Sequence, residues 1–133
     1  MLSATIRERG PWTLVHLHGE LDMATTRNLV NELFPAMAAG PRRLVLALRD
    51  LWFIDICGAS AIDRMCKLAE QLDVDLCVVN PTALGSIVLA AVGLHVPPQP
   101  SMDIWKEIRA ARVRCAHLDA DLLGGTPVVQ GQR

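Results

Sequence analysis

Leu44-Val45-Leu46-Ala47-Leu48-Arg49-Asp50-Leu51-Trp52-Phe53-Ile54-Asp55-Ile56-Cys57-Gly58 is the stretch on which the reading of this chain turns. Leu44 to Leu48 are five apolar residues in a row between basic neighbours. That is the pattern of a strand covered on both faces, as in a parallel sheet with helices packed on it. A helix is expected from about Gly58 to Leu72, because Ile62, Met65, Cys66 and Ala69 recur on one face. Between strand and helix lies a turn, and a helix N-terminus there exposes unpaired N–H groups and a partial positive charge.

Working downstream, Leu76 to Val79 repeats the buried-strand signature. Asn80-Pro81 opens a further helix whose apolar run continues through Val92, and Gly93 is placed as its left-handed C-terminal cap. Val96 with Pro97 and Pro98 reads as a last, short edge strand. Ser101 is a plausible N-cap for a final helix to about Val113, supported by Ile104, Ile108 and Ala111.

Upstream, residues 4–9 alternate weakly and run into the turn signal Gly10-Pro11. Trp12, Leu14, Val15 and Leu17 form a second strand, so the first two segments read as a hairpin, ended by Gly19. Asp22 precedes a helical pattern in which Leu29, Val30, Leu33, Phe34 and Met37 recur, with Thr25 or Thr26 sharing the capping role. Pro35 should kink that helix or end it early, and Gly40-Pro41 closes the unit. The order of elements gives an α/β domain with one mixed β-sheet, an N-terminal hairpin plus parallel strands, and about four helices packed on it. The domain is expected over residues 1–113, with 114–133 as a C-terminal tail.

The composition narrows the function. The 133 residues are 51% hydrophobic and 20% charged, which excludes a disordered chain. Thirteen basic residues face fourteen acidic ones for a net charge of −1, so no basic excess exists to bind nucleic acid. Mean hydropathy is positive, but the longest apolar run, Ile87 to Leu94, is far short of the ~20 residues of a bilayer span. No signal peptide is read at the start, and the expectation is a cytoplasmic protein without membrane insertion. Cys57, Cys66, Cys77 and Cys115 form neither CxxC nor a Cys/His pairing with zinc spacing, so neither disulfides nor structural zinc are expected.

Catalytic signals are sparse. Neither GxxxxGK[ST], GxGxxG nor GxSxG occurs. His16 and His18 share a strand face and can hold a metal, but no third ligand lies near them in sequence, and the polar face of a sheet edge is the plainer reading. His95 and His117 are isolated. No enzyme, cofactor or metal is expected. At the turn, Asp55 reads as a helix cap or as a binding group. Cys57 reads as packing or as a thiol activated by the helix end, and as an enzymatic nucleophile it lacks a neighbouring base. For Trp52 inward and outward packing stand equal, whereas Phe53 is expected to pack inward beneath the helix.

Three landmarks together, Gly19-Glu20-Leu21-Asp22, then Leu51-Trp52-Phe53-Ile54-Asp55-Ile56-Cys57-Gly58, then Val92-Gly93-Leu94, resemble those of the STAS domain. More narrowly they resemble the bacterial anti-sigma factor antagonists, over roughly residues 4–113. The resemblance implies partner switching: the domain binds an anti-sigma factor, usually a kinase of the histidine-kinase ATPase type, and frees the sigma factor for transcription. It also implies inactivation by phosphorylation of a Ser or Thr directly after the turn aspartate. Asp55 matches that aspartate and Gly58 the glycine, but Ile56 falls on the phosphoacceptor and has no hydroxyl. Ser60, on the same side of the helix, is a weak substitute and the plainer reading is a helix-start residue.

The expected partner-binding residues are therefore Asp22, Trp52, Asp55, Ile56, Cys57 and Gly58. The antagonist would be independent of phosphorylation, with Cys57 as a candidate redox switch, since oxidation also changes charge and bulk. The alternative is a STAS-type docking or small-ligand and lipid-transport accessory module.

Overall fold

The computed structural model describes residues 1–9, 12–39, 43–96 and 98. Seven elements follow in the order β1 (Leu2–Arg9), β2 (Trp12–Leu21), α1 (Thr26–Ala38), β3 (Arg43–Ile54), α2 (Ile56–Gln71), β4 (Asp75–Val79) and α3 (Ala83–Ala91). The four strands form one sheet in the order β1-β2-β3-β4. β1 pairs antiparallel with β2, whereas β2/β3 and β3/β4 are parallel. This is the mixed α/β sheet expected from the alternation of elements. The fourth helix expected from Ser101, the tail, and the turns at Gly10-Pro11 and Gly40-Pro41 lie outside the described residues.

The principal core lies between one sheet face and the three helices. Leu29, Leu33 and Met37 of α1, Ile62 and Met65 of α2 and Leu89 of α3 pack there with Val15, Leu17, Leu44, Leu46 and Leu48. Each such aliphatic side chain contributes about 1.5–3 kcal/mol by leaving water. On the opposite sheet face Leu14, Val45, Ala47, Cys77 and Val79 form a second buried cluster, with Trp12 packed against it. The guanidinium of Arg43 lies over the Trp12 ring, 5.7 Å from its centre. Both faces of Leu44–Leu48 are thus buried, as the unbroken apolar run requires.

Several boundaries differ from the sequence reading. β2 does not end at Gly19: it passes through that residue at φ +107° and continues to Leu21, pairing with β3. β3 runs twelve residues, to Ile54, and so absorbs most of the turn motif. α1 runs past Pro35 to Ala38 because the proline is on the exposed side of the helix. There the ring is turned toward solvent and displaces no core packing. Val96 is not in a strand. Its carbonyl accepts the Ser86 hydroxyl at 2.6 Å, while Pro97 lies outside the described residues. Gly93 does close α3 as expected: its N–H and that of Leu94 donate to the Ala90 and Leu89 carbonyls, the paired bonds of a left-handed cap.

One contact holds the start of α2 against the end of β2. The N–H of Asp55 donates to the Leu21 carbonyl at 3.2 Å. Gly58, one turn into the helix, lies so close to Leu21 that a Cβ would run into the same carbonyl oxygen and stand 2.8 Å from Leu21 Cγ.

Two predictions follow from this packing. Pro35→Ala restores a helical N–H and removes the ring's clash with the preceding turn, and should raise unfolding stability by about 2 kcal/mol in urea titration. Gly58→Ala should do the reverse. In an open helix the change would stabilise by about 1 kcal/mol, but here the new methyl meets a backbone carbonyl that cannot yield, and a net loss of about 1–3 kcal/mol is expected in the same assay.

Candidate functional site

The strand-to-helix turn is built by Asp55. Its backbone is extended (φ −108°, ψ −176°), and its Oδ1 accepts the Gly58 N–H at 2.8 Å, which makes it the N-cap of α2. The cap contributes about 1 kcal/mol and fixes the direction in which the helix leaves the strand. Ile56 is therefore the first helical residue, Cys57 the second and Gly58 the third. The helix starts two residues earlier than its hydrophobic spacing suggested, because the cap and not the apolar periodicity sets the boundary. Ser60 consequently falls in the second turn, half-buried, instead of at the helix start.

Around this turn apolar side chains stand in solvent. Trp52 is 70% exposed, Ile56 51% and Phe53 41%. The expectation that Phe53 packs inward is corrected. Gly19 pairs with Leu51 and Glu20 with Phe53, so β3 carries one residue more than β2 at this point. Leu51 and Ile54 take the inward positions, and the surplus leaves Trp52 and Phe53 both outside. Cys57 is half-buried, and no disulfide joins Cys57, Cys66 or Cys77.

The loop between β2 and α1 meets the turn through Leu21. Asp22 holds that loop in a local hydrogen-bonded ring. Its Oδ1 accepts the Thr25 N–H at 3.0 Å, and its own N–H donates to Thr25 Oγ1 at 2.9 Å. The Thr25 hydroxyl in turn donates to the Glu20 carbonyl at 2.9 Å. Thr25 occupies the cap position of α1, yet its side chain binds backward into the loop and not to the helix. Within the ring Met23 is 73% exposed. Sequence reasoning did not single out Met23, although an apolar residue inside a polar capping segment was a signal. Of the six expected site residues, Asp55, Ile56, Cys57 and Gly58 share the helix start, Trp52 precedes it on β3, and Asp22 adjoins through Leu21.

His16 and His18 lie on the sheet face away from the three helices, with their rings stacked at 4.6 Å between centres. Asp50 of β3 joins them: its Oδ2 is 2.9 Å from His16 Nε2 and 3.6 Å from His18 Nδ1. Burial pulls the His16 imidazolium below its usual range; Asp50 opposes this, while His18, Arg49 and Arg7 add to it. Asp50 is distant in sequence from both histidines, which is why no third group was visible there. His95 is exposed, and Cys115 and His117 lie outside the described residues. No described helix is long and apolar enough to cross a membrane.

Comparison with known proteins agrees with this architecture. The unphosphorylated form of the anti-sigma factor antagonist SpoIIAA superposes with a TM-score of 0.63 at 16% identity, over 81% of this chain and 97% of that one. An anti-sigma factor antagonist from Mycobacterium paratuberculosis gives 0.66 at 20% identity, over 84% and 95%. The murine anion transporter Slc26a9 gives 0.61 at 17% identity, over 78% of this chain but 18% of the transporter. At these identities the likeness shows a shared fold. No match was found among curated proteins. The family model of the STAS domain, however, matches residues 3–103, from β1 to beyond α3, and with the capped turn and the mixed sheet in place the chain belongs to the STAS domain family.

Proposed function

We propose that this chain is an anti-sigma factor antagonist acting in the cytoplasm by binding, with no chemistry of its own. The observation that carries the reading is the exposed apolar group Trp52, Phe53 and Ile56 set around the Asp55-capped start of α2. Aromatic and aliphatic side chains held at a rigid turn are what a protein partner buries at the centre of an interface. The partner is an anti-sigma factor of the histidine-kinase ATPase type, and its capture releases the sigma factor. The fold shared with named antagonists supports the reading, as does the resemblance of the stretches around Asp22, Asp55 and Gly58 to the antagonists' landmarks.

Ile56 occupies the position after the turn aspartate, half in solvent, where the phosphoacceptor hydroxyl is expected. A phosphate at that point would add nearly two negative charges to an apolar contact and break it. With isoleucine in place the contact is permanent, and its control lies in the supply of partner or in oxidation of the Cys57 thiol.

The test is partner capture from native cytosol with the full chain, followed by affinity measurement on the captured protein. Recovery of an ATPase-type anti-sigma factor is expected. Ile56→Asp should weaken its binding at least tenfold, equivalent to about 1.4 kcal/mol, with unfolding stability unchanged. Recovery of transporter subunits, or equal affinity for Ile56→Asp, would remove the antagonist reading and favour the accessory module. Incubated with the partner and ATP, the wild-type chain should take up no phosphate, whereas Ile56→Ser should. Phosphate on Ser60 of the wild type would refute the phosphorylation-independent mechanism. Repeating the capture under mild oxidation beside Cys57→Ser tests the thiol: loss of binding in the wild type alone supports a redox switch, and equal binding removes it.

A further inference from the structure

The sheet face opposite the three helices carries a cluster that the proposed partner contact does not use. His16 and His18 of β2 and Asp50 of β3 offer one ligand atom each, all within 4.8 Å of one another. A register shift brings them together. His16 pairs with Ala47, but His18, two residues on, pairs with Asp50, three residues on. Without the extra residue in β3 the position beside His18 would belong to Arg49, and a cation would stand where the carboxylate now does. Bulges of this kind re-aim side chains.

The contacts within the cluster leave donor atoms available. His16 Nε2 is 2.9 Å from Asp50 Oδ2, yet the approach lacks hydrogen-bond geometry, and this buried nitrogen has no hydrogen-bond partner among the described residues. His18 is held from its other side: Thr5 Oγ1 lies 3.2 Å from Nε2. The hydroxyl can accept from Nε2 or donate to it; in the tautomer with the proton on Nε2 the lone pair sits on Nδ1, the nitrogen that faces Asp50, and metal binding selects that tautomer. One imidazole nitrogen is thus orphaned, the other can adopt the tautomer that coordinates, and both converge on one carboxylate oxygen.

We propose that His16, His18 and Asp50 form a binding site for a divalent transition-metal ion of the zinc class. Two imidazoles and a carboxylate are a zinc ligand set that leaves a fourth, solvent-facing position for water. Tetrahedral coordination at ordinary bond lengths places ligand atoms roughly 3.3 Å apart; the two carboxylate–imidazole separations, 2.9 and 3.6 Å, bracket that value, and the ligand atoms of the two imidazoles lie within 4.8 Å of each other. All three side chains are partly open to solvent, so an ion can enter and small rotations can complete the geometry. Calcium and magnesium are disfavoured, since they demand several oxygen ligands and the cluster supplies a single carboxylate. A bound ion would join β2 to β3 across their register shift, upstream of the Asp55 turn on the same strand.

The experiment uses the untagged full chain, stripped with a chelator, and Zn2+ itself as the probe. Competition against a chromophoric chelator should give one equivalent bound, and Co2+ should give the visible bands of a four-coordinate ion without a thiolate charge-transfer band. The His16 and His18 ring resonances should shift on Zn2+ addition, a readout that needs no variant. His18→Asn and the isosteric Asp50→Asn should each weaken binding tenfold or more. Thr5→Val, which removes only the orienting hydroxyl, should weaken it by a smaller factor. Absence of binding, binding unchanged in Asp50→Asn, unmoved histidine resonances, or a thiolate band that places the ion on cysteine would each overturn the proposal.

Discussion

Leu21 is where the structure is tied together. Its backbone carbonyl receives the Asp55 N–H, and its side chain and carbonyl lie directly against Gly58. Through this residue the last pair of the β2/β3 ladder, Leu21 with Ile54, passes into the first turn of α2 without a connecting loop. The sharp transition is possible because Asp55 changes the chain from extended to helical in one residue and satisfies a free helical N–H as it does so. A side chain at position 58 would force the helix away from the sheet. The loop that carries Asp22 and Met23 is held beside the turn by the same junction.

Strand pairing then decides what faces outward. β2 and β3 are parallel and start in step, but β3 gains a residue twice before both reach the turn. Each gain reverses the inward and outward alternation, because side chains in a strand alternate with a period of two. The first brings Asp50 to the histidines. The second puts Trp52 and Phe53 side by side in solvent while Leu51 and Ile54 stay in the core. Two surface features, one apolar and one coordinating, thus arise from two successive register shifts near the C-terminal end of a single strand.

Much of this was legible in the chain. The five-residue apolar run, the shorter run at Leu76 to Val79 and the helical spacing around Ile62 and Met65 reflect burial, which acts residue by residue and leaves a periodic trace. Asp55 as a cap and Gly93 as a left-handed terminator were legible for a local reason, since the groups they satisfy lie within a few positions. What escaped was longer in range. The end of β2, the full length of β3 and the orientation of Phe53 depend on pairing with another strand, and Pro35 is tolerated because of which side of α1 faces water.

The sequence alone determined the α/β class, the order of its elements and the residues of the turn, because hydrophobic period, caps and turn chemistry are properties of neighbours along the chain. Its resemblance to STAS antagonists, carried by the same short stretches, was likewise complete at that level. Tertiary structure alone decided that Asp50 stands beside His16 and His18, that Phe53 joins Trp52 outside, and that it is Leu21 which leaves position 58 no room for a methyl group. Each of these depends on register between strands or on the close approach of a helix to a strand end, relations between residues far apart in sequence.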